Sequence, residues 1–559
     1  MFKTLGQGIG FSATMALVER LREAGDRCCQ YEDDAIGDFK RVLESAVLDG
    51  AQESTGEWEG VCQRLLLDVK AMLDPSTEKG RMLLEAVGWD LPGAILNYAR
   101  VSEACREVSL DLIVLLAESC SPREILATLL EALHISIKLE ALDLCLLLLE
   151  GLSSVLPRIQ RRRAEFANET VDVLLPVAVV SQYLDDDEVL RLQILHKLLQ
   201  LCQVLQEMFA VEKADDQKEM LRGILSYFAL VLMTAVVSAD TSDTSNSVSQ
   251  LLEILKSCGL TVPKLLDRSV ISSYTAVQHK EDAHLLYDSE ADCGAALAAS
   301  LLLKDKTEPL CTPLEALDVS TWLFGFVLER NGSWKLAEKG LKFIQSVLAV
   351  KGDACFTEDD HVTTATKICS LLKILHDVVI RSPYPSLRNS AYDVLLKVLR
   401  RTSADARFLC LVSLVGDGCH SAVVSLLLTF AKDEVDSAWR SEGRELNPFV
   451  SERVLELVEK VLRPKEGAPP NLPQNLDAVV GALNLYRFLL LREKSGGTNY
   501  TGILSRAELV KAKSQWLEPL RAAISAIPPD DPEIALHVDA LQMTRSRCLE
   551  LVEAELAQP

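Results

Sequence analysis

The chain has 559 residues, 48% of them apolar and 25% charged, with 58 Lys and Arg against 81 Asp and Glu, a formal charge of −23. The apolar fraction, with only 20 prolines and 27 glycines, excludes a disordered chain, and the length calls for several domains or one long repeat array. So acidic a surface repels phosphate backbones and removes the electrostatic term that carries most nucleic-acid affinity, so proteins are the expected partners and nucleic acid is not.

In chain order, Gly6-Gln7-Gly8-Ile9-Gly10 imitates a phosphate loop. No strand precedes it, however, and Phe11-Ser12-Ala13 stands where Lys-Ser/Thr is required, so it reads as a flexible N-terminus. The opening residues also lack the apolar run and small-residue cleavage site of a signal peptide. The 15 cysteines are odd in number and mostly lie inside apolar helical runs such as Asp143-Leu144-Cys145-Leu146-Leu147, as reduced core thiols do. Cytoplasm and/or nucleus is the expected location, and the glycosylation triplets at Asn168, Asn331 and Asn499 are expected to stay bare.

Apolar spacing of three and four predicts helices over 80–87, 104–118, 123–133 and 138–150. Arg158 and Arg161-Arg162-Arg163 make the one dense basic run, read as a solvated helix end rather than an import signal or acidic-partner contact. Asp185-Asp186-Asp187 supplies capping carboxylates for a helix from Val189 to Phe209 and is not a metal site. Gly223–Ala239 is free of charge but shorter than the roughly 20 residues a membrane span requires, so 219–238 reads as a fully buried helix and no membrane is expected. Ser238–Ser249, rich in Ser, Thr and Asp, reads as a flexible loop, with phosphorylation as the less favoured alternative. The pattern weakens over 270–312. It resumes at 315–329, 335–350, 363–380, 387–400, 421–432, 449–463, 475–492 and 535–555, interrupted by Pro-rich stretches at 463–473 and 527–532.

Sustained strand-type alternation is absent, so the predicted fold class is all-α. Consecutive helices joined by short polar turns predict a HEAT/armadillo-like helical repeat solenoid with degenerate repeats. Its clearest unit opens at Pro383-Tyr384-Pro385, with Ala391 where helices approach and Leu395, Leu396 and Leu399 following. The predicted divisions are an N-terminal repeat region (1–237), the Ser/Thr-rich loop (238–249), a central repeat region (250–462), a Pro-rich loop (463–475) and a C-terminal helical region (476–559).

Chemistry is sparse. There is no Cys-x-x-Cys, and Cys28-Cys29 are adjacent. Cys419-His420 after Cys410 sits in a Gly-flanked turn, so neither zinc nor any other metal or cofactor is expected. His134, His196 and His376 fall inside helical segments as ordinary histidines. No residue is expected to be catalytic. Charge is more informative: residues 444–559 carry 14 Lys and Arg against 16 Asp and Glu, a net of −2, leaving −21 on the rest. A partner of mixed charge meets least repulsion there.

Two stretches carry a resemblance. One is Leu84-Glu85-Ala86-Val87-Gly88-Trp89-Asp90-Leu91-Pro92-Gly93 with Ser119-Cys120-Ser121-Pro122-Arg123-Glu124. The other is Ala482-Leu483-Asn484-Leu485-Tyr486-Arg487-Phe488-Leu489-Leu490, with Asn499-Tyr500-Thr501-Gly502-Ile503 and Trp516-Leu517-Glu518-Pro519-Leu520. In order and separation they resemble the glomulin family, including its plant branch of aberrant lateral root formation proteins, over about residues 60–555.

The resemblance implies a non-enzymatic inhibitor or regulator of cullin-RING (SCF-type) ubiquitin ligases, monomeric when free. Its C-terminal region would bind the RING-box subunit, with the associated cullin, and block recruitment of the ubiquitin-conjugating enzyme. The contact is expected on 476–520. Asn484, Arg487 and Arg492 share a helix there, with positions 484, 487 and 488 at facing intervals; Asn499 and Thr501 lie in the loop after it; Tyr486 or Trp516 is the candidate aromatic anchor. Phe488 and Leu489 read as core, Trp516 also fits a packing role, and Arg492 also complements its helix C-terminus before Gly496-Gly497. The alternative is a general helical-repeat scaffold or transport adaptor for other protein cargo.

Overall fold

A computed structural model describes residues 3–30, 34–50, 56–182, 184, 187–239, 244–261, 264–265, 284–304, 320–321, 323–324, 334–349, 361–416, 419–441, 447–463, 469–527 and 532–558. Among these residues every regular element is helical and there is no β-strand. The chain forms two compact units, Met1–Leu302 and Leu303–Pro559.

The first unit holds α1 (Lys3–Cys29), α2 (Ala35–Gly50), α3 (Gly56–Met72), α4 (Glu78–Val87), α5 (Pro92–Ala99), α6 (Glu103–Ser119), α7 (Pro122–Lys138), α8 (Leu142–Val155), α9 (Arg163–Ser181), α10 (Glu188–Val211), α11 (Asp215–Ala239), α12 (Thr244–Ser257) and α13 (His284–Lys304). From α6 to α12 each helix packs on the next but one and, α8 and α9 apart, on the next in sequence, the arrangement of stacked helix pairs in a repeat array. Local chemistry sets the starts: Thr77 accepts from the Gly80 N–H, Ser102 from Cys105 and Asp187 from Leu190, each satisfying an amide the first turn leaves unpaired. The first resemblance motif is a packing device. A 3-10 turn at Gly88–Asp90 joins α4 to α5, a Cβ on Gly88 would meet Cys120 Sγ at 2.5 Å, and that thiol donates to the Leu84 carbonyl at 3.6 Å.

Several expectations are corrected. The glycine-rich start lies within α1, not in a flexible N-terminus; farther along this helix Leu21, Ala24 and Cys28 are buried. Helices α2, α3 and α9 were also missed by spacing; α9 carries Pro176, ordinarily a helix breaker, in its interior. The loop at 238–249 is largely helical: Ser238 and Ala239 end α11, and Thr244–Ser249 open α12, with Val248 and Leu251 buried beneath the hydroxyls. The weak stretch at 270–312 contains α13, while the predicted helix at 315–329 lies mostly outside the described residues.

The 138–150 helix is interrupted by Glu140 at φ +56°, which ends α7 and restarts the chain as α8. The basic run is solvated at Arg161 and Arg162, as expected, while Arg158 and Arg163 are tied down. Arg158 donates to the Ala117 and Cys120 carbonyls at the end of α6, Arg163 pairs with Glu212, and Arg162 pairs with Glu165. Helix α11 is the one described helix long and apolar enough to cross a membrane, and 89% of its apolar window is buried inside the protein.

The second unit holds α14 (Trp334–Ala349), α15 (His361–Arg381), α16 (Pro385–Arg400), α17 (Ala404–Gly416), α18 (Ser421–Arg440), α19 (Leu455–Leu462), α20 (Leu472–Gly496), α21 (Arg506–Lys511), a π-turn (Ala512–Leu517), α22 (Glu518–Ser525) and α23 (Pro532–Leu556). Pro385 opens α16 as predicted, with Ala391 buried, whereas α17 was missed. The Pro-rich loop is shorter than expected because α20 already begins at Leu472. Again α15 packs on α16 and α17, α17 on α19, and α18 and α23 both on α20.

Two predictions follow from the first unit. A Cβ on Gly294 would lie 1.9 Å from the Leu230 carbonyl oxygen, where α13 crosses α11, so Gly294→Val is expected to cost about 2–3 kcal/mol, read as a lower urea midpoint. Burial, reinforced by the Glu169 carboxylate, pushes Asp172 up to about 6 from its ordinary 3.8. The folded chain then holds this proton more tightly than the unfolded one, so stability is lost as pH rises from about 3.8 through about 6. Asp172→Asn is expected to raise Tm at pH 8 and to lose that advantage near pH 4.

Candidate partner-binding site

Helix α20 starts unusually. Pro473 lies in its first turn, Asn475 departs from helical geometry (φ −120°, ψ 15°), and the Ala478 N–H donates across to Ser421 Oγ at 3.0 Å. One turn on, a Cβ at Gly481 would meet Ser425 Oγ at 3.0 Å and Ser425 Cα at 3.1 Å, so glycine lets α20 lie directly against α18. Beyond this contact a groove of about 300 Å³ opens between the helices. Leu428, Leu485, Phe488 and Leu491 are its apolar lining, and Thr429, Lys432, Asn484 and Arg487 its polar lining.

Asn484, Arg487, Phe488 and Leu491 stand at i, i+3, i+4 and i+7, one face of a helix. The structure therefore brings Asn484 and Arg487 together as the spacing predicts and adds Phe488, half-buried in the groove rather than core. Arg492 is elsewhere: it pairs with Asp436 of α18 at 3.6 Å, a carboxylate that also holds Arg440. It is a tether between the two helices.

The aromatic anchors are corrected. Tyr486 and Trp516 are each 1% exposed and meet edge to face, with ring centroids 5.5 Å apart. Tyr486 lies on the α20 face that packs against its neighbours, among Leu483 and Leu490, and burial, with Cys548 and Glu508 nearby, drives its hydroxyl above the usual tyrosine range. Thr501 is also corrected: it is fully buried, and both its N–H and its Oγ1 donate to Glu493 Oε1 at 2.7 Å. Thr498 Oγ1 donates to the other carboxylate oxygen at 2.5 Å. Glu493 thus organises the loop after α20, which turns through Gly497 (φ +60°) and Gly502 (φ +68°). Asn499 is exposed on that loop, and its Oδ1 accepts from the Leu504 N–H at 2.9 Å.

Glu493 and the α18 wall, Leu428, Thr429 and Lys432, were not found by sequence reasoning. A mid-helix glycine such as Gly481 was the available signal of a close helix neighbour, but not of which one.

Among the described residues no group of His, Cys, Asp and Glu is spaced to hold a metal ion. Ten of the thirteen described cysteines, all free, are buried. Burial pushes Cys120 up to about 11 and Cys62, Cys145 and Cys548 up to about 12, and a thiol held protonated is a poor nucleophile. His420 caps α18 by accepting from the Ala422 N–H, and His376 accepts from the His420 N–H at 3.0 Å; both are structural acceptors.

Fold and groove define an all-α helical-repeat protein. The chain belongs to the YAP/Alf4/glomulin family, whose sequence profile matches residues 76–203 and 358–543, the second segment containing the groove. It is 26% identical to Aberrant root formation protein 4 of Arabidopsis thaliana over 99% of this chain and 95% of that protein. It is 22% identical to Glomulin of Mus musculus, over 91% and 86%, and 22% identical to Glomulin of Homo sapiens, over 80% and 78%.

Replacing Glu493 by Ala strips three hydrogen bonds from a buried acceptor. It is expected to cost about 2–3 kcal/mol and to speed amide exchange at Thr501, with the conservative Glu493→Gln falling between.

Proposed function

We propose that the chain is a non-enzymatic regulator of cullin-RING (SCF-type) ubiquitin ligases. In this reading its C-terminal region takes up the RING-box subunit, with the associated cullin, and excludes the ubiquitin-conjugating enzyme by occupying the same face. Membership of the glomulin family supports the partner. The observation that carries the placement is the α20 face of Asn484, Arg487, Phe488 and Leu491, which lines an open groove while the opposite face is packed. A face on a rigid helix pair can form part of a standard interface of roughly 1,600 Å² in total, and inhibition by occupancy needs no reacting group. Such a protein works in the cytoplasm and/or nucleus as a monomer, and root formation, named for the Arabidopsis relative, is a setting consistent with it.

The test uses the full chain, because removing 444–559 would uncover the α18 residues Leu427 and Leu428, both buried. The wild-type chain is expected to capture purified RING-box protein and to slow ubiquitin-chain formation. Filling the open face with Asn484→Trp and Leu491→Arg should weaken capture about tenfold or more. Failure of the wild-type chain to bind RING-box protein would remove this reading.

A further inference from the structure

We propose that the groove between α18 and α20 recognises a short acidic segment of its protein partner, with a carboxylate held by Lys432 and Arg487 and an apolar side chain laid on Phe488 and Leu491. This rests on the groove being the contact region and names the chemistry of what enters it.

The argument is one of charge complementarity. Cations elsewhere on these helices are neutralised: Arg440 and Arg492 share Asp436, and Lys494 pairs with Glu555. Lys432 and Arg487 both line the groove, and among the described residues neither has an ion-pair or hydrogen-bond partner. Asp433, next to Lys432 in the chain, is exposed and takes no part in the groove wall. The groove is therefore a cationic recess on a chain of net charge −23.

Arg487 Nε is buried without an acceptor, and the half-buried guanidinium makes no ion pair among the described residues. A carboxylate meets it with charge-assisted geometry that a neutral amide does not provide. The apolar lining asks for a hydrophobic neighbour in the same segment, and Leu491, 41% exposed at the rim, extends that surface. Thr429 and Asn484 can hydrogen-bond the backbone of an extended or helical segment.

A random dodecapeptide phage library selected on the full-length chain tests this. Enriched peptides should combine Asp or Glu with Leu, Ile or Phe, and synthetic versions should bind more weakly as salt is raised. Arg487→Glu and Lys432→Glu should each reduce their affinity about tenfold or more, with thermal melting unchanged for Lys432→Glu, while Arg161→Glu in the other unit should have no effect. Enrichment of basic or uncharged peptides, dependence on a phosphorylated residue, or indifference to both charge reversals would overturn the proposal. RING-box binding by the same variants separates the two readings: equal capture by wild-type and charge-reversed chains defeats this inference and leaves the proposed function standing. A wild-type chain that selects acidic peptides but ignores RING-box protein defeats only the proposed function.

Discussion

Every helix of the repeat region has to bury two faces at once, one against its partner in the pair and one against the helix two places on. That demand explains the composition, in which Leu dominates and aromatics are 5%: medium-sized side chains interdigitate on two sides without the bulk that would force helices apart. It also explains why small residues sit where axes cross. Gly294 against Leu230 and Gly481 against Ser425 are places where even a methyl group would displace backbone. Ala391 plays the same part in α16.

The groove follows from the same constraint. Gly481 and the Ala478–Ser421 hydrogen bond draw the starts of α18 and α20 together, so the space between the helices opens farther along, where Leu428 faces Phe488. Asp436 with Arg440 and Arg492 then ties the helices beyond the groove. Contact at one end and an ion-pair network at the other hold the walls at a set spacing. A wall so held loses little conformational entropy on binding, which favours the docking proposed for it.

How legible this was in the sequence depends on what each residue does. Helices with strong three-and-four spacing and a clear start, such as α10 behind Asp187 and α16 behind Pro385, were readable because local and tertiary preferences agree. The first three helices were not, since their marginal local preference is overridden by burial of residues such as Leu21, Phe39 and Leu65. The hydroxyl-rich opening of α12 reads as loop because Ser and Thr favour both turns and helix starts. At the site, the face holding Asn484 and Arg487 follows from helical period alone. Its opposite wall required knowing that α18 is the neighbour, and the burial of Tyr486, Thr501 and Trp516 required knowing how the chain after α20 packs. The residues that carry the family resemblance are largely of this second kind: Gly88 receives Cys120, and Tyr486 receives Trp516. They are recognisable because packing admits few substitutes, while the groove residues proposed for binding stand beside them on more exposed turns of the same helix.

That separation bears on how an acidic protein could hold an acidic segment. The bulk charge of −23 acts over distances that physiological salt screens within about 8 Å, so at contact the partner meets the nearest groups rather than the whole body. Beside the groove those groups are two cations without partners among the described residues, near an Asp436 carboxylate already committed to Arg440 and Arg492. Placing Lys432 and Arg487 among Leu428, Leu485 and Phe488 also lowers the local dielectric, which strengthens attraction to a carboxylate and penalises an unpaired basic side chain in the same measure. Specificity then comes from rejection as much as from attraction: most of the surface turns acidic segments away, and this recess turns basic ones away.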